Sequence, residues 1–316
     1  EKYTEAVNVL KSASVKFAAD PMAPELLFDW GNNLFGQENY EDAIKPFTQV
    51  INQHKTSEQV PDAIRLSAHC LHYKKDYPKS NELCVQYLAR YADKPESADV
   101  VFLQAENIFF DNKPDKPALP AYQKFIAANA EHPQVDVAKR RVGESYHKQG
   151  NWREALKILE PLAALKNTPP SFVEVDFLVA DCYYEDNKWD KAITFFNKYA
   201  AENPKKINAG FALMKSGFAS EQKGDLKTAL ATYEKLANGA DYQKSVNLPQ
   251  ALVKIGRLQY DAMAYPAARA ALKKVIQAHA TSPMKVQADY YLGRVALGEK
   301  NPDEAARQFG TVADSK

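Results

Sequence analysis

Residues 172–204 read FVEVDFLVADCYYEDNKWDKAITFFNKYAAENP, and two apolar rhythms run through them. Phe172, Val175, Val179, Cys182 and Tyr183 recur mostly at steps of three and four, which predicts an amphipathic first helix over about 172–186. Asn187-Lys188 reads as a short turn. Trp189, Ala192, Ile193, Phe196 and Tyr199 then mark the buried side of a second helix over about 189–201. Asn203-Pro204 ends it, because proline disfavours helical geometry in the residue before it. The stretch is one helix pair.

The same pair recurs through the whole chain. A small residue stands at Ala6, Ala43, Ser80, Ala118, Ala155, Ala192, Ala229, Ala268 and Ala305, at intervals of 37, 37, 38, 37, 37, 37, 39 and 37 residues. These residues are the markers of the repeat. Three positions before most of them lies an aromatic, as in Tyr40, Tyr77, Trp152, Trp189 and Tyr265. Four positions after comes a large residue such as Phe47, Tyr122, Phe196, Tyr233, Leu272 or Phe309. A fixed period in this range signifies stacked supersecondary units, each in contact only with its neighbours. The predicted class is therefore an all-α solenoid of antiparallel helix pairs. It would have a half unit at 1–20 and units at about 21–57, 58–95, 96–133, 134–170, 171–206, 207–245, 246–283 and 284–316.

Twelve positions before the marker, inside the first helix, stand Gly31, Gly143, Gly217, Gly256 and Gly293. A mid-helix glycine costs about 1 kcal/mol relative to alanine, so five at one register predict a close approach of the two helices there. The unit around Ala118 departs, with Glu106 at the glycine site and a Lys113-Pro114-Asp115-Lys116-Pro117 turn, and a distorted repeat is expected. Pro46 and Pro161 fall inside second helices, where kinks are expected.

These residues match the tetratricopeptide repeat pattern: small at the eighth site, aromatic before a small residue at the twentieth, aromatic at the twenty-fourth, proline near the end. With its longer period, and strings such as LPQALVKIG (248–256) and ADYYLG (288–293), the chain resembles bacterial cell-envelope members of that family, of the Tol-Pal-associated periplasmic and outer-membrane assembly lipoprotein types. The resemblance implies a right-handed superhelix whose first helices line a concave groove. It also implies a non-enzymatic scaffold that grips a protein or peptide segment there, in envelope assembly or maintenance, and a periplasmic location, with the cytoplasm as the alternative.

Carried over by register, at fifteen, eleven and eight positions before each marker, the groove residues are Asn32 and Phe35, then Arg65, His69 and His72, then Asn107 and Phe110. They continue with Arg140, Glu144 and His147, Asp181 and Tyr184, Phe218, Arg257 and Tyr260, and Arg294. Phe28, Leu103, Phe177, Met214, Glu221, Val253, Tyr290 and Leu297 complete the three positions. Aromatic and Arg side chains supply anchors, and Asn can hold an extended backbone with both donor and acceptor. The arginines are harder to bury and are the stronger candidates. The Lys and Asn pattern that clamps acidic C-terminal tails in some family members is not reproduced.

Composition narrows the function classes. Forty-one basic residues balance 40 acidic ones, against a nucleic-acid or acidic-membrane binder. No run approaches the 18 apolar residues of a membrane span. Lys74-Lys75 and Lys205-Lys206 read as isolated pairs. The three cysteines, Cys70, Cys84 and Cys182, read as core packing, with a Cys70–Cys84 bridge left open. His69 and His72 at i, i+3 could hold a metal only with further ligands, His54 being the nearest candidate, so groove polarity is the preferred reading. No catalytic motif and no cofactor motif is present. The chain opens inside a repeat and reads as a mature or trimmed piece. Any signal segment or lipid-bearing cysteine is then expected outside it, self-association through uncapped ends is a further expectation, and the contrasting role is a targeting arm for a catalytic part elsewhere.

Overall fold

A computed structural model describes residues 2–112, 117–165 and 172–315, with side chains from residue 5 onward. Most of the turn expected at 113–117, and Pro169-Pro170, lie outside the described residues. Among those described, the chain is helical throughout and has no strand. It divides into two compact units, Glu1–Ser145 and Tyr146–Lys316.

The first unit opens with α1 (Lys2–Lys16). The pairs α2 (Ala23–Gly36) with α3 (Tyr40–Gln53), α4 (Val60–Tyr73) with α5 (Tyr77–Tyr91), and α6 (Ser97–Asp111) with α7 (Leu119–Ala128) follow. Helix α8 (Val135–Lys148) crosses the division and precedes α9 (Trp152–Ala163). The second unit continues with α10 (Val175–Glu185) and α11 (Trp189–Glu202), α12 (Ile207–Gln222) and α13 (Leu226–Asn238), α14 (Leu248–Asp261) and α15 (Tyr265–Ala278), and α16 (Met284–Gly298) and α17 (Pro302–Ala313). Pro46 and Pro161 lie within α3 and α9.

The period is a packing rule. Marker residues Ala43, Ser80, Ala155, Ala192, Ala229 and Ala268 are fully buried, as are Phe47, Cys84, Tyr122, Leu159, Phe196, Tyr233 and Leu272 four positions later. The aromatic three before the marker is only half-buried, as at Trp189, and Ile193 is half-buried too. The mid-helix glycines exist for the large residue. A Cβ on Gly31 would stand 2.6 Å from Phe47, on Gly217 2.2 Å from Tyr233, on Gly256 2.4 Å from Leu272 and on Gly293 2.6 Å from Phe309. Carbon contacts are normally about 3.5–4.0 Å, so a side chain cannot share that space.

One backbone device closes the turns within units. The residue five before the marker is left-handed in seven of them: Glu38, Lys75, Gly150, Asn187, Gly224, Met263 and Lys300, with φ from 58° to 82°. The next residue donates its N–H to the carbonyl five positions back, as Asn39 to Leu34, Asp76 to Leu71 and Asp225 to Ser220. This is the Schellman closure of a helix C-terminus. That same next residue then caps the second helix: the side chains of Asn39, Asp76, Asp225 and Asn301 accept from backbone N–H groups three residues on. One residue thus ends one helix and starts the next. The unit around Ala118 departs as expected, with Asn112 left-handed at φ 47° one position early and Ala118 only half-buried.

Candidate functional site

Helices α2, α4, α6, α8, α10, α12, α14 and α16 carry the expected groove positions, and the structure sorts these into three kinds. Leu103, Met214 and Val253 are buried in the core, so three of the positions fifteen before a marker are packing residues rather than contacts. Asn32, Phe110, Tyr290 and Leu297 are exposed. Most of the others are half-buried because they meet each other.

That meeting follows a register. The residue eight before one marker contacts the residue eleven before the next, joining successive first helices. His72 Nδ1 donates to Asn107 Oδ1 at 2.8 Å. His147 Nε2 stands 2.8 Å from Asp181 Oδ2. Glu221 accepts from Arg257, and the Arg294 guanidinium lies 4.6 Å from the Tyr260 ring. A basic residue fourteen before the marker reinforces several of these steps. Lys215 pairs with Asp181 and sits 4.7 Å from the Tyr184 ring, while Lys254 lies 3.3 Å from Glu221 and 4.7 Å from the Phe218 ring. Sequence reasoning passed over Lys215 and Lys254, which stand beside a read position but not on one.

Electrostatics keep these carboxylates charged. Burial alone would push Asp181 up, but hydrogen bonds from His147 and Lys215 and the charge of Lys215 outweigh it, so its pKa lies below the ordinary value. Glu221 is held low in the same way, with burial offset by Tyr233, Lys254 and Arg257. Tyr233 donates to Glu221 at 2.7 Å, and burial followed by that carboxylate raises its hydroxyl pKa.

Where the repeat pattern is broken, polar groups compensate. Glu106, at the glycine site, accepts from the buried Tyr122 hydroxyl and from Arg141 Nε at 2.9 Å. Arg141 also reaches Glu144 at 3.0 Å and packs its guanidinium 4.4 Å from the Phe109 ring and 4.9 Å from Phe110. Arg140 pairs with Glu144 at 2.8 Å. Ser80, where other units have alanine, donates to the Ala68 carbonyl at 2.7 Å and accepts from Asn107 Nδ2 at 2.8 Å. Asn107 is 1% exposed, so it holds His72 in place rather than touching a partner. Arg65 pairs with Asp62 on its own helix at 2.7 Å. The arginines expected to be free for a ligand are engaged within the fold.

His69 is half-buried, and burial, followed by Arg65 and His72, lowers its pKa to about 4. Phe35 packs edge-on against Tyr40, whose ring stacks on Tyr73 at 4.6 Å. The cysteines are free and buried, which excludes a Cys70–Cys84 bridge, and burial pushes each thiol up to about 12. Among the described residues no three His, Cys, Asp or Glu side chains group as a metal site, and no helix is long and apolar enough to cross a membrane.

The arrangement is that of a helical-repeat solenoid, and comparisons agree on the fold. Residues 140–207 and 253–315 match the tetratricopeptide repeat family. A TPR repeat-containing protein from Cytophaga hutchinsonii superposes with a TM-score of 0.66 at 20% identity, over 83% of this chain and 98% of that one. A tetratricopeptide repeat protein from Parabacteroides merdae gives 0.52 at 14% identity, over 87% and 98%. The apo form of RapI gives 0.57 at 14% identity, over 99% and 87%. At these identities the likeness speaks for the fold. No relative is detected among curated proteins. The chain has an all-α, TPR-like repeat fold.

Proposed function

We propose that this chain is a non-enzymatic scaffold that binds a segment of a partner protein along the face formed by its first helices. The observation that carries this reading is the state of that face. Its charged groups are paired from helix to helix, which fixes the backbone spacing, while the rings of Phe110 in the first unit and Tyr290 in the second, each 42% exposed, and the exposed Asn32 stay open to solvent. Rigid aromatics on a prearranged surface provide contact area at little entropic loss.

His147 and Tyr184 sit within the inter-helix contacts, so substituting them would change the scaffold as well as the surface. The suitable test is affinity capture from native extract with the parent, an Asn32→Ala, Tyr290→Ala, Leu297→Ala variant, and a Val85→Ala, Lys273→Ala variant on second helices. A partner lost only with the first-helix variant supports the reading. A partner lost only with the second-helix variant overturns it.

The location proposed is the bacterial cell envelope. Its support is the resemblance in repeat length and motif to envelope members, and the check is cell fractionation of the tagged native protein.

A further inference from the structure

The interval between Ala229 and Ala268 is 39 residues rather than 37, and the extra length is accommodated between α13 and α14. That connection is built against α12. Residues Ala240–Tyr242 form a 3-10 turn, the Tyr242 side chain is buried, and its hydroxyl donates to the Ala200 carbonyl at 3.1 Å. Ser245 sits where a Cβ on Gly210 would be, at 2.2 Å, so only glycine there lets the loop come this close.

The loop so fixed shares a cleft of about 270 Å³ with the start of α12, and its rim is chemically distinct. Lys205, Lys206 and Lys244 border it, all exposed, and none is in an ion pair among the described residues. Lysines elsewhere on this chain commonly find a carboxylate, as Lys198, Lys215, Lys223 and Lys254 do. Beside these three stand Ile207, 89% exposed, and Val246, 86% exposed. Asp241 is the acidic residue on the same rim. Lys205-Lys206, an isolated pair in sequence, therefore gains a third lysine and two protruding aliphatics from the fold.

We propose that this edge of the second unit docks on an anionic lipid bilayer. Ile207 and Val246 enter the headgroup–acyl boundary while the three lysines meet lipid phosphates. The pattern favours a bilayer over an acidic protein segment because the two aliphatic side chains project almost wholly into solvent beside the cleft, as tips do. Basic residues near a membrane surface each raise binding about fivefold, and an effect of that size is readily screened by salt. A balanced total charge does not preclude this, because the attraction is local.

The test is co-sedimentation of the full chain with vesicles of phosphatidylcholine alone or of phosphatidylcholine mixed with anionic phosphatidylserine, whose negative surface potential attracts basic segments. Three variants are compared: Lys205→Gln, Lys206→Gln, Lys244→Gln; Ile207→Ser, Val246→Ser; and the control Lys273→Gln, Lys274→Gln, exposed lysines of α15. The parent and control should bind the anionic vesicles and not the neutral ones. The lysine variant should lose about a hundredfold in affinity (three factors of about five), and the serine variant should also fall. An Ile207→Trp variant should show a blue-shifted emission on vesicle addition. Absence of anionic-vesicle binding by the parent, or equal binding by all variants, overturns the proposal. Lysine-dependent binding to poly-glutamate with none to vesicles overturns it in favour of an acidic protein partner.

Discussion

Replacing Gly217 by alanine should destabilise the protein, although alanine is the better helix former. Substitution in a helix interior normally gains about 1 kcal/mol. Here the new Cβ would lie 2.2 Å from Tyr233 Cε1, 2.6 Å from Cζ and 2.7 Å from Cδ1, so the ring has to retreat by more than 1 Å to restore ordinary contact. The ring has nowhere to go: Tyr233 is fully buried and its hydroxyl is tied to Glu221, itself paired with Lys254 and Arg257. Overpacking costs about 1–3 kcal/mol, and strain on this tethered hydroxyl places the case at the upper end, for a net loss of about 1–2 kcal/mol. Gly310, inside α17, has nothing within 4 Å of its would-be Cβ, so Gly310→Ala should gain about 1 kcal/mol. Urea denaturation followed by far-UV circular dichroism measures both. A double-mutant cycle with Tyr233→Ala should show a coupling of about 1–3 kcal/mol. If Gly217→Ala were as stabilising as Gly310→Ala, the close-approach account of the repeat would be wrong.

Other outcomes follow from the same contacts. Glu106→Ala leaves Arg141 and the Tyr122 hydroxyl short of their acid, both side chains largely buried, and should cost about 3 kcal/mol in a denaturant titration. Asp181 and Glu221 have pKa values depressed on folding, so their contribution is present above the ordinary carboxylate range and lost as pH falls through it toward the folded values. An Asp181→Asn, Glu221→Gln variant should therefore be less stable at neutral pH and show a shallower loss between about pH 5 and 3, followed by thermal melts across pH. Gly224→Ala forces a side chain into a left-handed turn with φ +82° and should cost about 1 kcal/mol, whereas Met263→Gly at φ 58° should be neutral to stabilising by calorimetry. The three thiols, buried and shifted to about 12, should resist a thiol reagent such as DTNB until denaturant opens the helices, read by absorbance.

The sequence made the helix pairs and their crossing legible because packing fixes residue type there. Gly217 opposite Tyr233 and Gly256 opposite Leu272 are size requirements that show as letters at a constant spacing. The left-handed residue of the turn is legible at Gly150 and Gly224 but not in the other turns, since Glu38, Lys75, Asn187, Met263 and Lys300 share a backbone conformation and no side-chain property. Nor are the contacts between first helices legible. His147 and Asp181 are 34 positions apart, and one helix read alone gives no partner for either. Arg257 looked available because a single segment hides the acid that faces it, Glu221 on the preceding first helix. The register of candidate positions was readable, while which of them stay open to a ligand depends on neighbouring units.

The claim that the first-helix face receives the partner is tested most directly by site-specific photo-crosslinking in the native host. A benzophenone amino acid would be placed singly at Phe110 and Tyr290 on first helices and at Val85 and Lys273 on second helices, all exposed. The account predicts one common protein adduct from Phe110 and Tyr290 and none of it from Val85 or Lys273. The same adduct arising only from Val85 and Lys273 would contradict it.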